Sequence, residues 1–176
     1  MNYKTAINLL RKYVKEEHVI SHSKRVAEVA EKIAKTIKKN GHKINVEKVK
    51  CAALLHDIGR GIEHENHEYH SEEILRKEGQ PDIADIIKTH GIRLERHGKE
   101  EFRPETLEQR IIAYADGRVN FDEVVTLKER YELLDKREKF RHSKEEMGLI
   151  NKSWPRAKKN EEFLLDLAGK RKFDFE

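Results

Sequence analysis

Apolar residues recur along most of the chain at spacings of three and four, the period of a helix with one buried face. Tyr3, Ala6, Ile7, Leu10, Tyr13 and Val14 predict a first amphipathic helix that fades at Glu16-Glu17. Ser21 is placed to cap a second, whose inner face carries Val26, Val29, Ala30, Ile33, Ala34 and Ile37 and which Asn40-Gly41 ends. His22 and Arg25 then fall in its first turn. Asn45 caps a third helix, in which Val46, Val49, Ala52, Ala53 and Leu55 run into His56-Asp57 before Gly59 and Gly61 break the pattern. Residues 60–70, RGIEHENHEYH, lack apolar periodicity and predict a loop carrying three histidines. Ile74 and Leu75 mark a fourth helix closing at Gly79. Pro81 opens a fifth, where Ile83, Ala84, Ile86 and Ile87 lead to His90.

Residues 91–104 are polar and predict irregular chain. Leu107, Ile111, Tyr114 and Ala115 predict a sixth helix ending in Asp116, before Gly117. Val125, Leu127, Tyr131 and Leu134 form the stripe of another, over 122–140. Pro155 is placed to open a last helix with Phe163, Leu164 and Leu167, stopping at Gly169. No strand-like alternation and no repeat is found, so the expected fold class is all-α. The expected organisation is a helical domain over 1–140, which carries the clustered histidines, and a basic C-terminal extension over 141–176, packed on the same domain.

Composition narrows the picture. A chain of 176 residues with 36% hydrophobic and 40% charged residues, 9 Gly and 3 Pro suits one helix-rich domain with an ionised surface. The net charge of +4 favours anionic ligands without arguing for nucleic acid. Cys51, the one cysteine, excludes an internal disulfide, fits a reducing compartment and reads as a small core filler. The first 15 residues lack a secretory apolar core, and no apolar run is long enough for a membrane span. A cytoplasmic location is expected.

Histidine is the unusual entrant, with 10 copies, of which only His142 falls outside the first 97 residues. At His56-Asp57 four apolar residues run straight into an imidazole and a carboxylate. Neighbouring helix positions point about 100° apart, so one ion reaches both only near a helix end. That donor pair suits Zn, Mn, Fe, Ni or Co better than Ca. His90 and Asp116 repeat the arrangement of an apolar face ending in a possible ligand.

The order His22, His56-Asp57, Asp116 resembles the signature of the HD superfamily of metal-dependent phosphohydrolases. His22-Ser23-Lys24-Arg25-Val26-Ala27 is similar to its first motif. Leu54-Leu55-His56-Asp57-Ile58-Gly59-Arg60 is similar to the subgroup written HDIG, and Ala113-Tyr114-Ala115-Asp116 to the last motif. The likeness covers roughly residues 5–135 and leaves out the basic tail. It implies a helical bundle around a divalent ion held by His22, His56, Asp57 and Asp116. Some branches carry two more histidines and a second ion. By that resemblance His67 and His90, with Asp57 bridging, would hold it, and Ser71 stands where the family usually has glycine. The metal would be Fe, Mn, Co, Ni, Zn or Mg. His70 rivals His67, but choosing it breaks the register of the following helix. His64, His70 and His97 otherwise read as surface residues, and His18, His42 and His142 as solvent-facing.

Arg60 has two readings: a helix-end cation facing carbonyls, or a phosphate ligand as in relatives. Arg25 and Arg118 are weaker candidates for substrate phosphate. The chemistry implied is hydrolysis of a phosphate ester or anhydride of a nucleotide or similar small molecule, through hydroxide that the ions activate, with Asp57 and Arg60 as catalytic residues. One rival reading is a metal-bearing module that senses a nucleotide without turnover, against which the intact ligand set argues. Another is an RNA-end phosphoesterase using the basic stretch 136–159. That stretch offers only Phe140 and Trp154 for base stacking. Nucleic acid is therefore the less expected partner.

Overall fold

The computed structural model describes residues 1–64, 66–141 and 144–175, and their side chains outside 135–141 and 144–147. The expected solvent exposure of His142 lies outside the described residues, as do the side chains of Lys136, Arg137, Lys139, Phe140, Arg141 and Lys144. The fold is an all-α bundle, with the helices α1 (Tyr3–Tyr13), α2 (Glu17–Lys39), α3 (Val46–Leu55), α4 (His67–Lys77), α5 (Pro81–Ile87), α6 (Arg93–His97), α7 (Leu107–Asp116), α8 (Leu127–Arg141) and α9 (Lys144–Ala168). Helix α2 runs through the middle, packed on α3, α7 and α9, while α3 also meets α1, α5 and α7. These contacts bury Ile33, Ile37, Leu54, Leu55, Ile87, Ile111 and Tyr114 almost completely, so the ends of α3, α5 and α7 are anchored in one core. No helix among the described residues is long and apolar enough to cross a membrane.

Several boundaries differ from those the periodicity predicts. Helix α2 starts at Glu17, not after Ser21, because Val19 and Ile20 are buried in phase with Val26, Ala30 and Ile33. Tertiary burial outweighs a capping side chain here. His22 therefore belongs to the second turn rather than the first. The predicted loop over 60–70 is shorter: a 3-10 turn occupies Ile58–Gly61, and His67 to His70 are the first turn of α4. Residues 91–104 are not irregular throughout, since α6 and a 3-10 turn at Glu100–Phe102 form there. Buried Arg93 holds that segment, donating to the Glu72 carboxylate and the Lys88 carbonyl with its guanidinium over the Phe102 ring.

An antiparallel hairpin stands between α7 and α8, and its second strand occupies the start of the helix expected over 122–140. Val119–Asn120 (β1) pairs with Glu123–Val124 (β2), Val119 opposite Val124, and Phe121 takes a left-handed φ of 57° at the tip. Helix α8 begins at Leu127 because Thr126 and Glu129 satisfy each other's backbone N–H groups in a capping box. Thr106 and Gln109 do the same for α7. Finally, α9 does not open at Pro155 but runs through it from Lys144. The proline removes one backbone donor, and the turn is held by Ser153 Oγ on the Ile150 carbonyl and by Trp154 against the Tyr131 ring of α8.

Candidate metal centre

Five helices deliver side chains to one place. His56 ends α3 with its side chain fully buried, and Asp57 follows with only 5% of its side chain exposed. His22 comes from α2, Asp116 from the end of α7, His67 from the start of α4, and His90 lies just beyond α5. They form two groups of three, His22–His56–Asp116 and Asp57–His67–His90, and within each group the ligand atoms lie within 4.8 Å of one another.

The distances decide what the groups are suited to hold. Asp57 Oδ1 stands 3.0 Å from His67 Nε2 and 3.7 Å from both His56 Nε2 and His90 Nε2. Asp116 Oδ1 stands 3.2 Å from His22 Nε2 and 3.6 Å from His56 Nε2. A gap of 3.6 Å or more exceeds a hydrogen bond. Two donors each about 2.1 Å from one ion stand roughly 3.0 Å apart at a right angle and roughly 3.4 Å at the tetrahedral angle. The separations therefore suit donors that share cations.

The tautomers agree. Each Nδ1 faces a backbone carbonyl: Phe121 for His22, Ala53 for His56, His64 for His67 and Ile87 for His90, at 2.5–2.8 Å. A ring that donates from Nδ1 presents the lone pair of Nε2, which is how carbonyl partners prepare histidine ligands. The Nε2 atoms of His56 and His90 are buried with no hydrogen-bond partner. Leaving both so would be costly, and a divalent cation satisfies them. The donor set thus fits a divalent metal.

Charge is arranged to match. Burial would push the Asp57 carboxyl up, but His56, the Arg60 guanidinium and His67 beside it hold it well below the usual carboxylate range. Asp116 is likewise well below that range, burial being outweighed by His22 and His56. For His22 and His90 burial acts downward, yet Asp116 and Asp57 respectively raise them above an ordinary histidine. Both carboxylates stay ionised.

The glycine after Asp57 is a packing requirement. A Cβ on Gly59 would lie 2.1 Å from the His67 carbonyl, and its N–H donates to Ser71 Oγ at 2.9 Å. The 3-10 turn and α4 are clamped together there, which brings His67 to Asp57. This also gives Ser71 a role at the position where a glycine was the family expectation. His70 is not brought to the cluster and faces Glu63 and Glu73 instead. His18, His64 and His97 are exposed, His42 is half-buried, and Cys51 is buried in the core.

The three arginines diverge. Arg60 does not serve as a helix-end cation on carbonyls: Nε donates to Asp57 Oδ2, Nη2 lies 3.3 Å from His67 Nε2, and 30% of the side chain stays exposed. It steadies the carboxylate whose other oxygen meets three histidines. Arg25 binds the Asp122 carbonyl and Glu28. Arg118 donates to the Val125 carbonyl and the Tyr114 hydroxyl, with Phe175 under its plane. Both line a groove between the hairpin and the C-terminal residues. Two contributors escape sequence reasoning. Glu68 is buried, 3.5 Å from His67 Nδ1, with Arg96 3.8 Å away on its other side; its place after His67 is the one hint. The Phe121 carbonyl orients His22 through a backbone atom, which no side-chain pattern announces.

Comparison with known proteins agrees with this geometry. The model of the HD domain family matches residues 19–120. An uncharacterised protein of Methanocaldococcus jannaschii is 34% identical over 142 residues, covering 71% of this chain and 83% of that protein. A tRNA (cytidine(56)-2'-O)-methyltransferase of Thermoplasma volcanium is 38% identical over 121 residues, 63% of this chain but 34% of that protein. Ribonuclease Y of Fervidobacterium nodosum is 36% identical over 105 residues, 57% of this chain and 18% of that protein. The chain thus spans about a third of the methyltransferase and under a fifth of the ribonuclease. No solved structure matches it significantly. With its ligand-bearing helices inside the matched stretch, the chain belongs to the HD domain family.

Proposed function

We propose that the protein is a phosphohydrolase that uses two divalent ions to cleave a phosphate ester or anhydride of a nucleotide or similarly small molecule. The observation that carries this reading is the pair of three-donor groups meeting at His56, whose Nε2 is 3.7 Å from Asp57 Oδ1 and 3.6 Å from Asp116 Oδ1. Such a pair suits two neighbouring cations. His22, His56 and Asp116 would hold one, and Asp57, His67 and His90 the other. Ions bound there supply hydroxide at neutral pH and offset charge on the phosphoryl oxygens.

The chain's own residues do the positioning. Asp57, ionised and held by Arg60, fixes the charge at the junction of the two groups. Four carbonyls keep the imidazoles in the ligand tautomer. Arg60, 30% exposed along its side chain, would donate to a phosphate oxygen. Fe, Mn, Co, Ni, Zn and Mg all remain in the metal screen, and the lone buried Cys51 suits a cytoplasmic setting.

A second reading, hydrolysis at an RNA end, is favoured by the relatives named ribonuclease Y and tRNA methyltransferase, which match this chain over 57% and 63% of its length. A metal-supplemented panel of nucleoside monophosphates, cyclic phosphates, dinucleoside polyphosphates and short RNAs separates the two. Release only from RNA supports the second, and tight nucleotide binding with no release anywhere supports a sensor.

A further inference from the structure

Among the four histidines of the metal centre, His22 alone takes its orienting carbonyl from a distant part of the chain. Ala53, His64 and Ile87 serve His56, His67 and His90 from three positions upstream, within the local turn. The Phe121 carbonyl that faces His22 Nδ1 at 2.7 Å is 99 positions away. It belongs to a hairpin whose strands have two residues each, and so short a pair does not hold itself. Phe121 moreover has a φ of 57°, which a residue with a side chain keeps only where its surroundings enforce it.

Two arginines grip the hairpin. Arg25 Nε donates to the Asp122 carbonyl from α2 at 3.0 Å. Arg118 closes the base: its Nε donates to the Val125 carbonyl at 2.6 Å, and the Val125 N–H donates back to the Arg118 carbonyl at 2.8 Å. Arg118 is itself held by aromatic rings. Its Nη1 donates to the Tyr114 hydroxyl at 2.6 Å, and its guanidinium lies 4.9 Å from the centre of the Phe175 ring. Phe173 stacks on Phe175 and tilts against Tyr114, with centroids 5.9 Å apart in both pairs. These phenylalanines lie in irregular chain after α9, which turns at Gly169 with a φ of 60°. Lys32 Nζ ties that chain to α2, donating to the Phe175 carbonyl at 2.8 Å. The whole segment lies beyond residues 19–120, the stretch shared with the family.

We infer that residues 170–175 form a positioning strap for one metal group: Phe175 holds Arg118, Arg118 holds the hairpin, and the hairpin holds His22 in its ligand orientation. The inference rests on the two-group reading of the metal centre and names what governs one half of it. The group of Asp57, His67 and His90 lacks this dependence, because its histidines are turned by carbonyls of their own turns. The strap thus sets the affinity of the His22–His56–Asp116 group alone. Phe175 and Arg118 are positioning residues, acting through the hairpin and not on the ion. Partners that orient a histidine ligand are worth about 10–100-fold in metal affinity.

The test is calorimetric titration of the full chain with Mn(II), in two backgrounds that leave one group each. In His67→Ala, where the His22 group remains, Phe175→Ala should weaken Mn(II) binding about tenfold or more, and Phe175→Tyr should keep it. In His22→Ala, where the Asp57 group remains, Phe175→Ala should leave the affinity unchanged. If Phe175→Ala fails to fold, Arg118→Lys puts the same question, since it keeps the charge but loses the forked grip on Val125 and Tyr114. Unaltered affinity in the first background would overturn the inference. So would equal weakening in both, which would reduce the strap to general stability. Turnover plays no part in the readout, so a chain that shows this split yet hydrolyses nothing would refute the hydrolase reading alone.

Discussion

Asp57 and His67 meet at 3.0 Å although they lie on opposite sides of a 3-10 turn and a loop. Neither helix end alone could make that contact. It depends on Gly59, where the chain comes close enough to α4 that a methyl group would collide with the His67 carbonyl at 2.1 Å. Gly59→Ala is therefore expected to cost about 1–3 kcal/mol of stability, as overpacking does. Metal content should fall with it. Thermal melting and elemental analysis check this, and an unchanged melting point would show that the turn can yield.

Ion count follows from the two groups of donors. The purified chain, supplied with metal, should approach two ions, falling towards one in His67→Ala or His90→Ala. Elemental analysis of both variants decides it. Wild-type metal content in both would reduce these histidines to structural residues.

How much of this was legible beforehand depends on the kind of signal. His22, His56, Asp57 and Asp116 stand at or near the ends of apolar stripes, so periodicity and donor type exposed them together. Asn45 and Pro81 start their helices where the pattern places them. The misses have physical causes. Ser21 looks like a cap, but burial of Val19 and Ile20 extends α2 past it. The boxes Thr106-Leu-Glu-Gln109 and Thr126-Leu-Lys-Glu129 were written in the sequence, and the second would have put the start of α8 at Leu127. The hairpin has strands of two residues, too short for alternation to register. Arg118 followed the Asp116 motif closely, yet its partners are Tyr114, Val125 and Phe175, a matter of packing that sequence spacing does not encode.

Arg60 should separate positioning from metal binding. Since it holds Asp57 Oδ2 from outside the donor groups, Arg60→Ala is expected to keep the metals and to cost about 1.5–3 kcal/mol of transition-state stabilisation, the range for a hydrogen bond to a charged group. Steady-state rates with parallel metal analysis test this. Loss of the ions from Arg60→Ala would make its role structural.

The metal-free chain should respond to pH with a definite sign. His22 and His90 are raised above an ordinary histidine by Asp116 and Asp57, against the downward push of burial. A histidine raised in the folded state contributes stability that is fully present below the unfolded value. That contribution is lost as pH rises through the folded one. Chelator-treated protein is thus expected to melt at a lower temperature at about pH 9 than at about pH 6.5, and added metal, which needs neutral imidazoles, should bind more tightly as pH rises. Melting curves across that range, with and without metal, provide the check. A metal-free chain that gains stability towards alkaline pH would contradict the assigned couplings.

The most direct measurement is phosphate release from a nucleotide panel with Mn, Co, Ni, Zn, Mg or Fe(II) added, comparing wild type with Asp57→Ala. Asp57 stands between the two donor groups, facing His56, His67 and His90 with one oxygen. Its loss should remove several kcal/mol of transition-state stabilisation, roughly a thousandfold or more in rate. Turnover by the wild type under at least one metal, with that collapse in the variant, is the predicted result. Release that is absent under every metal, or undiminished in Asp57→Ala, would contradict it.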